Sequence, residues 1–192
     1  MSLILASNSQ IRRSMLLQAG LKFEVQPPNF DEELAKREGL EGEELVRALS
    51  EGKAVSVATG SNVWVIGSDS SVAVDGRRFS KPRDRNEAAA HLRAFSGRTM
   101  YLSSAVALAK DGKIEWSHAE TARLKVRKLS DAFIAHYLDL EWPEVSYCVG
   151  VFRMEGRGVT LFDSVEGSYF TVLGMPLLPL LAALRERGLM AA

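Results

Sequence analysis

Four apolar residues, Leu3-Ile4-Leu5-Ala6, lead without a linker into Ser7-Asn8-Ser9-Gln10-Ile11-Arg12-Arg13 and then a helical pattern, Ser14-Met15-Leu16-Leu17-Gln18-Ala19, closed by Gly20. The apolar run reads as a buried strand that ends in small hydroxyl residues. The helix after it carries two adjacent arginines in its first turn, so backbone N–H groups, hydroxyls and guanidinium forks surround one small volume. Such a volume suits phosphate. Taken alone, the same residues also describe an ordinary capped helix with two solvated arginines, and the rest of the chain must decide between the two.

The chain has 192 residues, 46% of them apolar, enough for one substantial core. A single domain over 1–192 is expected, or two closely joined lobes around a cleft with no linker. Lys plus Arg and Asp plus Glu number 24 each, so the net charge at pH 7 is zero. No global field draws the chain to nucleic acid or to an anionic membrane, and neither is an expected partner. Any site for a polyanion is therefore local. One cysteine, Cys148, excludes an internal disulfide framework, and His91, His118 and His136 do not make a zinc spacing. A metal in this chain would be oxygen-ligated. There is no secretory-signal layout and no apolar run of the ~18 residues that a membrane span needs, so the cytoplasm is the expected compartment.

Strand and helix patterns alternate with no repeat or low-complexity block, which predicts one mixed α/β unit. Lys22 to Gln26 reads as a short strand. Pro27-Pro28-Asn29 then forces a loop that delivers Asp31-Glu32-Glu33. Glu43 to Thr59 reads as a helix ended by Gly60, and Val63-Trp64-Val65-Ile66 as a strand halted by Gly67-Ser68-Asp69. Asp75-Gly76 and Asp111-Gly112 are hairpin signals, so part of the sheet is antiparallel. Arg85 to Phe95 is helical, Ser130 caps a helix over Asp131 to Asp139, and Pro176 opens a last helix, Leu177 to Arg187, that Gly188 ends. Gly150 through Gly158 reads as a turn between two strands, with Glu155 exposed on it.

Three residues carry chemistry. Asp69 is expected at the C-terminal end of an apolar strand, where α/β sheets place ligands, although a lone Asp there is more often a turn former. Lys81-Pro82, one hairpin further on, holds a second charge extended. Lys53 falls inside the apolar stripe of Leu45, Val46, Leu49 and Val57, so its amine must find an anion or snorkel to water. No partner stands near it in sequence. On that basis Lys53→Met should leave the free protein at least as stable. Neither a P-loop nor a Rossmann glycine fingerprint occurs.

Taken together these segments resemble the Maf family of nucleoside triphosphate pyrophosphatases, related in fold to the inosine triphosphate pyrophosphatases. Leu5-Ala6-Ser7 with Ser9, Arg12 and Arg13 is similar to the family's L-A-S-x-S-x-x-R-R, and Asp31-Glu32 to its D-E. Lys53-Ala54 resembles the helical K-A, Ile66-Gly67-Ser68-Asp69 the I-G-[AS]-D, and Lys81-Pro82 the K-P. Ser96-Gly97-Arg98-Thr99 and Gly174-Met175-Pro176-Leu177 are similar to S-G-[KR]-x and G-[LM]-P-L. The resemblance implies an elongated, curved mixed sheet flanked by helices with a central cleft. It also implies cleavage between the α- and β-phosphates, giving nucleoside monophosphate and pyrophosphate.

Under that resemblance Asp69 is the proton acceptor for water, with Lys53 and Lys81 beside it in the catalytic set. Ser7, Ser9, Arg12 and Arg13 bind the substrate. Glu32 and Asp69 would hold a divalent cation, Mg²⁺ or Mn²⁺. Cys148-Val149-Gly150-Val151-Phe152-Arg153-Met154-Glu155-Gly156 looks like the subgroup that prefers 7-methyl-GTP, in which the glutamate replaces the glutamine of the dTTP/UTP-directed subgroup. Ile11 and Ser70, the other two specificity positions, match neither subgroup, whose residues there are tryptophan and glutamine or arginine and threonine. The expected partner is a nucleoside triphosphate, and a second copy of the chain is left open. The alternatives are a dTTP/UTP-type pyrophosphatase, or a nucleotide-binding regulator of septum formation with incidental hydrolysis.

Overall fold

The computed structural model describes residues 2–32, 39–57, 60 and 62–191. Glu33 and Thr59 of the segments above lie outside them. The fold is of mixed α/β class. Seven strands form one sheet in the order β2-β1-β3-β5-β6-β7, with β4 beside β3. They are β1 Ser2–Ala6, β2 Glu24–Val25, β3 Val63–Val74, β4 Arg77–Phe79, β5 Thr99–Lys110, β6 Lys113–Val126 and β7 Phe162–Glu166. The longer helices are α1 Gln10–Gln18, α2 Gly42–Val55, α3 Arg85–Phe95, α4 Asp131–Glu141 and α6 Leu177–Glu186, and α5 is the single turn Tyr169–Val172. The chain divides into two compact units, one of residues 1–70, 103–120 and 168–192, the other of 71–102 and 121–167.

In the first unit β1 runs parallel to both β2 and β3, with Leu5 opposite Ile66 and Ala6 opposite Gly67. A parallel strand is covered on both faces, and β1 accordingly has no polar alternation. Leu3 and Leu5 join Met15, Leu16, Trp64, Ile66, Leu180 and Leu184 on the face of α1 and α6. Ile4 and Ala6 join Ala54, Val65, Ala107 and Ala109 on the face of α2. The alanines of that second face let α2 lie close to the sheet. At Gly67 the approach is closest: a Cβ there would stand 2.1 Å from the Ser50 carbonyl oxygen and 2.6 Å from the Ala54 nitrogen.

That close approach explains one departure from expectation. Gly67 does not halt a strand; it admits a helix, and β3 continues through twelve residues to Val74. The α2 helix in turn stops at Val55 rather than Thr59. The Ser56 hydroxyl donates to the Lys53 carbonyl at 2.9 Å, satisfying one of the carbonyls that a helix end leaves open.

In the second unit the expected hairpin at Asp75-Gly76 is present, both residues having positive φ (49° and 74°), and it pairs β3 with β4 antiparallel. The expected cap Ser130 is present, accepting the Phe133 N–H at 3.1 Å, and Asp84 caps α3 by accepting the Glu87 N–H at 2.8 Å. His91 packs edge-on to Phe79 at 5.1 Å between ring centroids and is a core residue of α3. The segment 150–158 is not a turn between strands. It follows α4 and the short 3-10 helix Glu144–Tyr147 and runs into a second one, Arg157–Leu161. Its local glycines signal a turn equally well in either setting, and only the preceding helix distinguishes them. Among the described residues no helix is long and apolar enough to cross a membrane.

Candidate active site

Because side chains alternate along a strand, the middle of β3 serves two faces at once. Val65, Gly67 and Asp69 point to the side of α2, while Ile66, Ser68 and Ser70 point to the side of α1. Asp69 therefore stands inside a strand and not at its end, one pleat beyond the glycine against which α2 rests. Lys53, on the α2 turn that meets Gly67, reaches along the strand to it. Its Nζ lies 3.2 Å from Asp69 Oδ2 and 2.8 Å from Glu32 Oε1. Lys53 does not snorkel: the residue is 8% exposed and its amine bridges two carboxylates brought from separate segments.

The two oxygens of Asp69 are used differently. Oδ1 accepts the Ser70 N–H at 2.8 Å and Oδ2 faces the Lys53 ammonium. A carboxylate has about four acceptor sites, so these two contacts orient the group and leave lone pairs for a water or a cation. Glu32 and Asp69 suit a hard divalent cation, since Mg²⁺ is typically held by one or two carboxylates, substrate phosphates and its own waters. Among the described residues no cluster of three or more His, Cys, Asp and Glu gathers at one point.

On the opposite face Arg12 ties Ser7 of the phosphate-like motif to β3 and to Gly174. Its Nε donates to the Gly174 carbonyl (2.9 Å), NH1 to the Ser68 carbonyl (2.9 Å) and the Ser7 hydroxyl (3.4 Å), and NH2 to the Ser70 hydroxyl (2.8 Å). A guanidinium has five N–H donors, so one remains for a ligand. Burial pushes the Arg12 pKa below its ordinary value, and the charges of Asp69 and Glu32 act against that. Ser7 also accepts the Ser9 N–H at 3.2 Å, and Ser9 caps α1 by accepting the Arg12 N–H at 3.4 Å. Arg13, the next residue on α1, is exposed and Ile11 half-buried. The adjacent arginines are thus unlike: one is built into the fold and the other faces water.

Ser68 and Gly174, which stand in family motifs but were given no role there, meet beside Arg12. The Gly174 carbonyl accepts from Arg12, from the Ser68 hydroxyl at 3.2 Å and from the Ser70 hydroxyl at 3.1 Å. Its φ of +105° suits glycine, and a Cβ there would be 3.0 Å from the Ser70 hydroxyl. The available signal was a pair of hydroxyls, Ser68 and Ser70, at alternate positions after an apolar strand.

Lys81 and Glu155 belong to the second unit, and both are exposed. There they lie within electrostatic reach of one thiol. Cys148 is pushed up to about 11, by burial first and then by the Glu155 carboxylate, while Arg153 and Lys81 pull it down.

The chain also has clear relatives. A family described as "Maf-like protein" matches residues 2–187. The 7-methyl-GTP pyrophosphatase of Rhizobium meliloti (strain 1021) is 44% identical over 191 residues, 97% of this chain and 96% of that protein. A nucleoside triphosphate pyrophosphatase of Nitrobacter winogradskyi is 45% identical over 193 residues, covering 98% and 95%. The 7-methyl-GTP pyrophosphatase of Rhizobium etli is 42% identical over 191 residues, covering 97% and 96%. A solved nucleoside-triphosphatase / dITP/XTP pyrophosphatase from Mycobacterium abscessus gives a TM-score of 0.39 at 17% identity over 67% of this chain and 76% of that one, too distant to support a comparison of folds. With a family match from residue 2 to residue 187 and relatives above 40% identity over almost the whole of both chains, this chain belongs to the Maf family.

Proposed function

We propose that the chain hydrolyses nucleoside triphosphates to nucleoside monophosphate and pyrophosphate, with 7-methyl-GTP as its substrate. The observation that carries the reaction class is the Glu32–Lys53–Asp69 group, in which a buried amine holds two carboxylates on the face of a sheet that Arg12 fixes from behind. Names of the relatives support the same reading. In it, the Asp69 carboxylate accepts a proton from the water that attacks the α-phosphorus, and the bond from that phosphorus to the bridging oxygen breaks to release pyrophosphate. Lys53 keeps Asp69 aimed and offers a positive charge to the polyphosphate. The remaining N–H of Arg12 and the exposed Arg13 supply further cations. A divalent cation held by Glu32 and Asp69 would polarise the phosphate and draw off developing charge.

The choice of base rests on Glu155. A carboxylate accepts from both N1–H and the exocyclic amine of guanine, and N7 methylation makes the ring cationic, so the same contact becomes charge-assisted. Glutamine, with one donor and one acceptor, instead complements thymine or uracil.

Pyrophosphate release from 7-methyl-GTP, GTP, dTTP and UTP, with and without Mg²⁺ and alongside an Asp69→Asn protein, tests the reading. The expected result is metal-dependent release that is highest with 7-methyl-GTP and absent from Asp69→Asn, with the melting temperature kept. Asp69→Asn retaining more than about a tenth of the rate, a change of only ~1.4 kcal/mol in barrier, would remove Asp69 as the base. A preference for dTTP and UTP would overturn the substrate while leaving the reaction class intact.

A further inference from the structure

Glu141 is the last residue of α4, and it is a costly residue for that place. An acid at a helix C-terminus opposes the helix dipole, and this one is buried, with 2% of its side chain exposed. Burying a charge is unfavourable unless its partners are well placed, and an ion pair in such a position is weak as a source of stability. Glu141 Oε2 accepts from Arg153 at Nε (3.2 Å) and NH2 (2.9 Å), and Oε1 lies 3.5 Å from Arg157 NH1. These two arginines stand two residues before and two residues after Glu155.

One turn earlier on the same helix, buried Tyr137 donates its hydroxyl to the Val151 carbonyl at 3.1 Å. Val151 is a β-branched residue with φ +56° and no exposure, a conformation that persists only where its surroundings impose it. The segment closes on itself at Gly158, where a Cβ would stand 2.4 Å from the Arg153 carbonyl oxygen. Helix α4 thus grips the segment at residues 151, 153 and 157, and Glu155 is left exposed at its apex.

We propose that Glu141 is a positioning residue for base selection: by engaging both Arg153 and Arg157 it fixes the turn that carries Glu155. It also keeps two flanking guanidiniums from neutralising the Glu155 carboxylate. This rests on the reading of Glu155 as the base-selecting residue. Freed arginines two residues away on either side would compete with a cationic 7-methylguanine for the same oxygens, and a turn displaced by an ångström would weaken the contact further.

The test is steady-state kinetics of wild type, Glu141→Gln, Arg157→Ala and Glu155→Gln on 7-methyl-GTP, GTP, dTTP and UTP, with melting temperatures. Glu141→Gln should raise KM for 7-methyl-GTP about 10-fold or more, with kcat and the pyrimidine nucleotides within about twofold. Arg157→Ala, at a side chain 61% exposed, should shift selectivity in the same direction by a smaller factor. If Glu155→Gln changes base preference and Glu141→Gln lowers all four substrates alike, or none, Glu141 is merely structural and the proposal fails. If Glu141→Gln does not fold, unchanged selectivity in Arg157→Ala overturns it. If Glu155→Gln leaves base preference untouched, the base-selecting reading itself falls, and the positioning role with it.

Discussion

At the scale of single residues, Lys53 shows how much depends on a partner distant in sequence. Its place in the apolar stripe of α2 is visible in the sequence, and from that alone a methionine looks harmless. The structure reverses the sign, because Glu32 and Asp69 converge on the amine. Removing it takes away the ammonium that stands between the two carboxylates. Breaking a fully buried pair costs about 3–5 kcal/mol. Glu32 is 40% exposed, so water relieves part of this and Lys53→Met should destabilise the protein by about 2 kcal/mol. Thermal melting checks this, and a melting temperature equal to or above that of wild type would show that the amine adds nothing to the fold. Arg12 and Arg13 are a second residue-scale case. Adjacent and identical in sequence, they divide into a half-buried connector and an exposed cation because a helix turns about 100° per residue.

At the scale of elements, the contact of α2 with β3 sets the geometry of the site. Small residues on the facing surfaces bring the helix low, and Gly67 admits the backbone of Ser50 and Ala54. Gly67→Ala would force α2 away, since overlap with backbone atoms cannot be relieved by a rotamer change. Overpacking of this kind costs about 1–3 kcal/mol, or a fall in melting temperature of about 2–4 °C per kcal/mol for a chain of this size. The same displacement carries Lys53 off Asp69, so pyrophosphate release should fall far more than stability does. Melting and turnover measured together distinguish this from a simple packing defect: an active but less stable Gly67→Ala would mean that the Lys53–Asp69 contact is dispensable.

At the scale of the whole molecule, basic and acidic residues balance at 24 each. A chain with no net charge lacks the self-repulsion that keeps proteins apart in solution. Light scattering of concentrated protein at low salt should therefore be greatest near pH 7 and fall at pH 5.5 and 8.5. A flat profile would mean that patches, rather than net charge, govern association. The same balance makes attraction to a triphosphate a local property. In the proposed reaction it falls to individual cations such as Arg12, Arg13 and Lys53, so retention on a general polyanion is not expected.

Much of the fold is written in short-range patterns. The apolar run of β1, the caps Ser9, Asp84 and Ser130, and the hairpin at Asp75-Gly76 depend on neighbouring residues, and so are legible from sequence alone. The family blocks are equally legible, because each is contiguous. What the sequence could not disclose involves residues far apart along the chain. Gly67 looks like a strand terminator until α2 is seen resting on it, and the segment 150–158 looks like a strand-to-strand turn until α4 is seen gripping it. The partners of Lys53, the convergence of Ser68, Ser70 and Arg12 on the Gly174 carbonyl, and the burial of Glu141 are likewise products of tertiary packing. Local sequence sets dihedral preferences and periodicity, whereas close approach and the pairing of buried charges arise only when distant segments are brought into contact.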